Sequence, residues 1–217
     1  MEEAYMARPK VPLLSVDRIA DAALELVDSG QPFGVNALAR RLGVTPSSLY
    51  NHVDGRDGII ELMRGRFSRE AAGGAQATGG EWHEIVADTM RAQRRMYAAH
   101  PNLVPLIVGK TITDPYVIAS YDHLATTLVD AGFPEDEVLG VIALLDAFAI
   151  GFGLDLASPH DVWQPEGETQ TLGRLIADAP HGDERSDRAF DLGLDLLIES
   201  LRARLARLSA PPAPVVE

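Results

Sequence analysis

Nearly every long segment of the chain repeats its apolar residues at the helical period, and none sustains a period of two. That pattern leaves an all-α fold as the expectation. Ser15 is placed to cap a first helix reaching Ser29, with Ile19, Ala23, Leu26 and Val27 on one face and Gly30 stopping it. A second helix is expected over Val35–Leu42, a third over 46–52 with Thr45 as N-cap and Pro46 at N1, and a fourth after Asp54. Gly73-Gly74-Ala75-Gln76-Ala77-Thr78-Gly79-Gly80 reads as a flexible connection. Beyond it, helices are expected over 81–99, 102–109, 115–130, 134–157, 171–179 and 186–208, with a loop over 158–170. The expected organisation is an N-terminal arm (1–14), a first helical domain with its connecting helix (15–72), a glycine-rich loop (73–80), a larger helical domain (81–208) and a disordered tail (209–217).

The 217 residues carry 19 basic and 32 acidic side chains, a net charge of −13. Taken whole, that balance opposes binding to duplex phosphate. Counted by segment, residues 1–72 hold 9 basic and 10 acidic groups (−1), which leaves 10 and 22 (−12) for the remainder. Over 34–56, Arg40, Arg41 and Arg56 face only Asp54, a small basic island of +2. Cysteine is absent, which excludes disulfides, thiolate catalysis and Cys-based zinc sites. The opening MEEAYMARPKVPLL has no apolar core of a secretory signal, and no uninterrupted apolar run approaches a membrane span, so a cytoplasmic location is expected.

The segment 35–52 carries the most chemistry. Two short helices joined by Gly43-Val44-Thr45 make a helix-turn-helix. Leu38, Ala39, Leu42, Val44 and Leu49 are expected to pack on Ile19, Ala23 and Val27, with Ala39 small enough to let the helices approach. The second helix then presents Pro46, Ser47, Ser48, Tyr50, Asn51 and His52, short polar groups suited to a groove floor and its phosphate walls. For Tyr50 a half-buried supporting ring, and for His52 a capping or packing role, are the bland alternatives. Arg40 and Arg41 either solvate a helix face or meet phosphate.

Ile19-Ala20-Asp21-Ala22-Ala23-Leu24-Glu25-Leu26, Leu38-Ala39-Arg40-Arg41-Leu42-Gly43-Val44 and Ser48-Leu49-Tyr50-Asn51-His52-Val53 stand in an order and spacing that resembles the DNA-binding domain of TetR-family transcriptional repressors. Further on, Ala99-His100-Pro101 and Phe190-Asp191-Leu192-Gly193-Leu194-Asp195 resemble the C-terminal domain of the tetracycline-repressor subgroup. The resemblance implies a homodimer whose recognition helices enter successive major grooves of a near-palindromic double-stranded operator. Carried over by position, it implies DNA contacts from Asn36, Thr45, Pro46, Ser47, Ser48, Tyr50, His52 and Arg56, to which Asn51 is added by its outward position and Arg40 and Arg41 by their place in the basic island. Asn36 stands where some members carry arginine, and Pro46-Ser47 where tetracycline repressors carry Gln-Pro, so no operator sequence follows. The resemblance also implies that the second part binds a small molecule between its helices and that the helix from Arg56 to Phe67 swings as the coupling element. The dimer would form from helices 134–157 and 186–208 as a four-helix bundle.

Inward-facing bulky or polar residues supply the ligand-site candidates: Phe67, Trp82, Met90, Tyr97, His100, Leu103, Tyr116, Tyr121, Asp146, Phe148 and Phe152. Each is also a plausible core residue. Asp146 interrupts an apolar helix, where an unpaired carboxylate is costly; it anchors a ligand, pairs with an arginine or faces water. Gly151 and Gly153 suggest close approach of a partner helix. They lack the third glycine and the preceding strand of a dinucleotide site. No nucleophile elbow, zinc-protease helix or phosphate loop is present, the six histidines are scattered, and no cofactor or metal is expected. Two other classes stay open: a constitutive DNA-binding or structural dimer without an effector, and an enzyme whose site assembles only in space.

Overall fold

The computed structural model describes residues 14–72, 80–159, 162–164 and 170–209. Within them all regular structure is helical: α1 Val16–Asp28, α2 Val35–Leu42, α3 Pro46–Tyr50, α4 Gly55–Ala72, α5 Trp82–Ala99, α6 Val104–Ile107, α7 Pro115–Asp130, α8 Glu135–Leu156, α9 Gln170–Ala177 and α10 Gly182–Ser209. The N-terminal arm, most of the glycine-rich loop, most of the loop after α8 and the tail lie outside the described residues.

The predicted caps form. Ser15 accepts from the Arg18 amide at 3.3 Å and Thr45 from the Ser48 amide at 3.3 Å. Gly43 closes α2 at φ +69°, a left-handed conformation that glycine adopts without strain. Asp114 caps α7 by accepting from the amides of Tyr116 (2.9 Å) and Val117 (3.1 Å).

Three of the boundaries that differ from the sequence reading change how the elements are understood. The recognition helix stops at Tyr50, and His52 belongs to the following turn, its amide bonded to the Leu49 carbonyl at 2.8 Å. The helix expected over 102–109 is a single turn, because the chain leaves it extended at Val108 and turns at Gly109 (φ +75°). The last helix starts at Gly182 rather than Ser186. Asp183 and Glu184 suit its positive end, and Ser186 is a buried hydrogen-bonding residue one turn further in.

The chain divides into two compact units that are not two halves of the sequence. The first joins residues 1–69 to 102–117; the second joins 70–101 to 118–217. The sequence reading had put a single boundary at the glycine-rich loop. In the first unit Ile19, Ala23, Leu38, Leu49, Ile59, Ile60 and Met63 make the core. Leu42 and Val44, expected in it, are half-buried at the edge. In the second unit α5 packs along α8, and α10 covers both. Gly153 is what lets α5 approach: a Cβ there would stand 2.5 Å from the Tyr97 Cβ and 3.1 Å from the Arg94 carbonyl oxygen. Its close neighbour is therefore within the chain, not a partner helix. Gly151 has open space around it.

Candidate functional site

In the first unit α2 and α3 cross at the Gly43 turn, with Leu38, Ala39 and Leu49 fully inward. That leaves one face of α3 outward. Thr45, Pro46, Ser47, Tyr50, Asn51 and His52 are exposed and Ser48 is half-buried. Tyr50 is 59% exposed, so its ring is not the supporting core group of the bland reading. Thr45 and Ser48 share a hydrogen bond between hydroxyls at 3.0 Å, which fixes both at the start of α3. Asn36, Arg40, Arg41 and Arg56 are exposed around this helix. Arg41 donates to Glu25 at 2.5 Å, and the Arg56 guanidinium lies 5.3 Å from the Phe33 ring centre. Both arginines are thus oriented by the head itself.

The connecting helix α4 is tied to residues 107–114 of the same unit. Arg64, buried, donates to the Ile107 carbonyl at 2.9 Å. Glu61 accepts from the Thr113 amide (2.8 Å), the Thr113 hydroxyl (3.2 Å) and the Asp114 amide (3.3 Å). Lys110 pairs with Asp57 at 3.1 Å, and Arg69 with Asp114 at 3.4 Å. Sequence reading missed this clamp, because its partners lie some fifty residues apart and carry no local pattern.

The ligand-site candidates fall into both units. Phe67, Leu103 and Tyr116 lie in the first, where Phe67 and Leu103 are core and Tyr116 has Arg69 5.9 Å from its ring centre. The others lie in the second. Met90 and Tyr97 are buried between α5 and α8. Trp82 packs edge-on against Phe133 at 5.4 Å. His100 caps the end of α5. Phe148 and Phe152 stack with Phe190 at 5.4 and 5.6 Å, joining α8 to α10, and Gly193 makes room for Phe148. Tyr121 donates its hydroxyl to Asp146 at 2.8 Å. Burial pushes the Asp146 carboxyl above the usual aspartate range, and that hydrogen bond only partly opposes it.

A second polar group in this unit escaped the sequence. Arg94 is buried in α5, donates to Asp187 (2.8 Å) and Ser186 (2.9 Å), and lies 4.7 Å from the Phe190 ring centre. Ser186 and Arg185 in turn hold Asp155 at 2.6 and 2.8 Å. Burial raises the Asp155 carboxyl, but the hydrogen bonds from Ser186 and Arg185 and the charges of Arg185 and Arg94 outweigh it and leave it below the usual range. An arginine on the same face as Met90 and Tyr97 was the signal available. An open groove of about 500 Å³ runs between α5 and α10 with charged walls (His83, Glu84, Asp88, Arg91, Glu199, Arg202) and contains none of the predicted ligand residues. Among the described residues no three His, Asp or Glu side chains gather as a metal site would require.

Residues 75–205 match the family described as "Tetracyclin repressor-like, C-terminal domain". The chain belongs to the TetR family of transcriptional regulators. It is 25% identical over 167 residues to the HTH-type transcriptional repressor DrrR1 of Streptomyces coeruleorubidus, a match covering 76% of this chain and 60% of that protein. The fold is shared with apo ActR from Streptomyces coelicolor (TM-score 0.74, 25% identity, 92% of this chain and 100% of that one). ActR in complex with (S)-DNPA is similar at a TM-score of 0.71 and 25% identity, over 89% and 99% of the two chains. The TetR-family reading and the all-α architecture therefore stand, and these relatives carry the names of regulators rather than enzymes.

Proposed function

We propose that this TetR-family chain is a cytoplasmic, homodimeric transcriptional repressor that leaves a near-palindromic operator when a small molecule occupies its second unit. The observation that carries the reading is the outward face of α3. A capped, five-residue helix held by the Gly43 turn presents Thr45, Pro46, Ser47, Tyr50, Asn51 and His52 to solvent beside Arg40, Arg41 and Arg56. Ser48, Tyr50 and Arg56 are assigned to phosphate, and Asn36, Thr45, Pro46, Ser47 and His52 to bases or the adjoining backbone. Asn51, Arg40 and Arg41 flank them.

Dimerisation is supported by the outer faces of α8 and α10. Leu139, Leu192 and Leu196 are 76%, 62% and 57% exposed in the single chain, and Leu144 and Leu154 continue the strip. Gly140 and Gly151 leave open surface between them. By length and composition α8 is apolar enough to cross a bilayer, with a mean hydropathy of 2.0, although no such span was expected from the sequence. Packing of its outer strip on a second copy accounts for that composition without a membrane. The ActR complex with (S)-DNPA supports a small-molecule effector.

The test is a mobility-shift titration with the DNA upstream of the chain's own gene, followed by a small-molecule panel. The expected result is a salt-sensitive complex that at least one compound dissociates. Absence of a complex at low salt overturns the regulator reading. A complex that no compound in a broad panel releases favours a constitutive dimer.

A further inference from the structure

Two buried hydrogen-bond acceptors in the second unit, Asp146 Oδ1 and Gln93 Oε1, have no donor. Their positions on their helices bring them to one flank. On α5 the stripe Val86, Met90 and Tyr97 is buried, and Arg94 leaves it toward α10. Successive helix residues are about 100° apart, at 3.6 residues per turn, so Gln93 lies on the flank opposite Arg94. On α8 the buried stripe is Val138, Ile142, Leu145, Ala149 and Gly153. Phe148 and Phe152 leave it toward Phe190 of α10, and Asp146 lies on the other side. Trp82 meets Phe133 at one end and Tyr97 meets Gly153 at the other, so α5 and α8 run in the same direction. Gln93 is one turn before Tyr97 and Asp146 two turns before Gly153, which sets them about 5 Å apart along the axis. Tyr121 of α7 closes the same flank through its hydrogen bond to Asp146 Oδ2.

A buried acceptor left without a donor is destabilising, and an apolar side chain of similar shape would remove that cost. Here two such acceptors lie on the flank of the most extensive helix pair of the unit, whose buried stripes include Met90, Ile142, Leu145 and Ala149. We propose that Gln93, Asp146 and Tyr121 form the polar end of the effector site, and that the effector brings hydrogen-bond donors to it, as neighbouring hydroxyl groups on an otherwise apolar body. This rests on the small-molecule-sensor reading above and adds to it the chemical class of the effector and one residue, Gln93, that the sequence did not single out.

The test is isothermal titration of the full-length chain with naphthalene-2,3-diol and with its dimethyl ether, 2,3-dimethoxynaphthalene, which has the same apolar body and no donor. The expected result is binding of the diol about tenfold or more tighter than the ether, the size of one hydrogen bond to a buried carboxyl. Asp146→Leu and Gln93→Leu should each reduce that preference, and Gln93→Leu should melt at a higher temperature than the wild type without probe. Asp146→Ala and Gln93→Met, which also remove the acceptor oxygen, provide the same comparison if a leucine variant fails to fold. The proposal is overturned if the wild type does not bind the diol, if it binds diol and ether equally, or if the preference survives all the variants. The same wild-type sample is assayed for operator binding. An operator complex released only by donor-free compounds sinks this assignment and leaves the regulator reading intact, whereas no operator complex at all sinks the regulator reading itself.

Discussion

Tyr50 stands on the exposed edge of α3, where its ring contributes little to the core and its hydroxyl is free to reach outward. Tyr50→Phe should therefore leave the melting temperature unchanged and weaken operator binding by roughly 3- to 10-fold, the size of one ordinary hydrogen bond. A melting temperature that drops with the affinity would return Tyr50 to a supporting role. Asp146 makes the opposite case, a polar residue whose cost is internal. Its folded-state pKa is raised above the unfolded value, so its favourable contribution is complete below the ordinary aspartate range and is lost as pH rises through the raised value. Asp146→Asn should accordingly be more stable than the wild type at neutral pH, and the gain should vanish at acid pH. Denaturant melts across that range check it, and a gain independent of pH contradicts it.

At the scale of elements, Gly151 and Gly153 of α8 separate internal packing from assembly. A Cβ at Gly153 would run into Tyr97 and the Arg94 backbone of α5, so Gly153→Ala should destabilise the fold by about 1–3 kcal/mol through overpacking. Gly151 faces open space in the single chain, where alanine would gain about 1 kcal/mol of helix propensity. If a second copy covers that face, Gly151→Ala should weaken self-association instead, which sedimentation at falling concentration would show. The helices themselves were largely legible beforehand. Ser15, Gly43 and Thr45 marked ends through hydrogen bonds within a few residues, and such bonds depend on local sequence alone. The clamp of Glu61 on Thr113 and Asp114 was not legible, nor was the burial of Arg94. Each depends on a partner from a distant element, and a charged residue on a helix reads as solvated until that partner is known.

For the whole molecule, the net charge of −13 and the two-unit division bear on how DNA is bound. The acidity falls after residue 72, and the head keeps only a small excess of arginine around α3. Operator affinity should lean on base contacts more than on counterion release. The slope of log affinity against log salt should be shallower than for a strongly basic repressor, and a steep slope would refute this. Leu139→Arg should give a monomer in solution and abolish binding to a two-half-site operator, since one head cannot span both. A dimer that persists in Leu139→Arg would place the interface elsewhere.

The sequence by itself determined the all-α class, the helix-turn-helix and its outward residues, and the family. The first two follow from periodicity, caps and spacing, which are properties of neighbouring residues, and the family follows from the resemblance of its motifs to known repressors. Only the tertiary structure decided that residues 102–117 belong with the DNA-reading head, that Gly153 serves α5 rather than a partner, and that Phe148 and Phe152 pack on α10. It also decided that Asp146 meets Tyr121 while its second oxygen goes unpaired. Pairing and burial depend on which distant faces meet, and a helical period fixes the face of each helix without naming what lies against it.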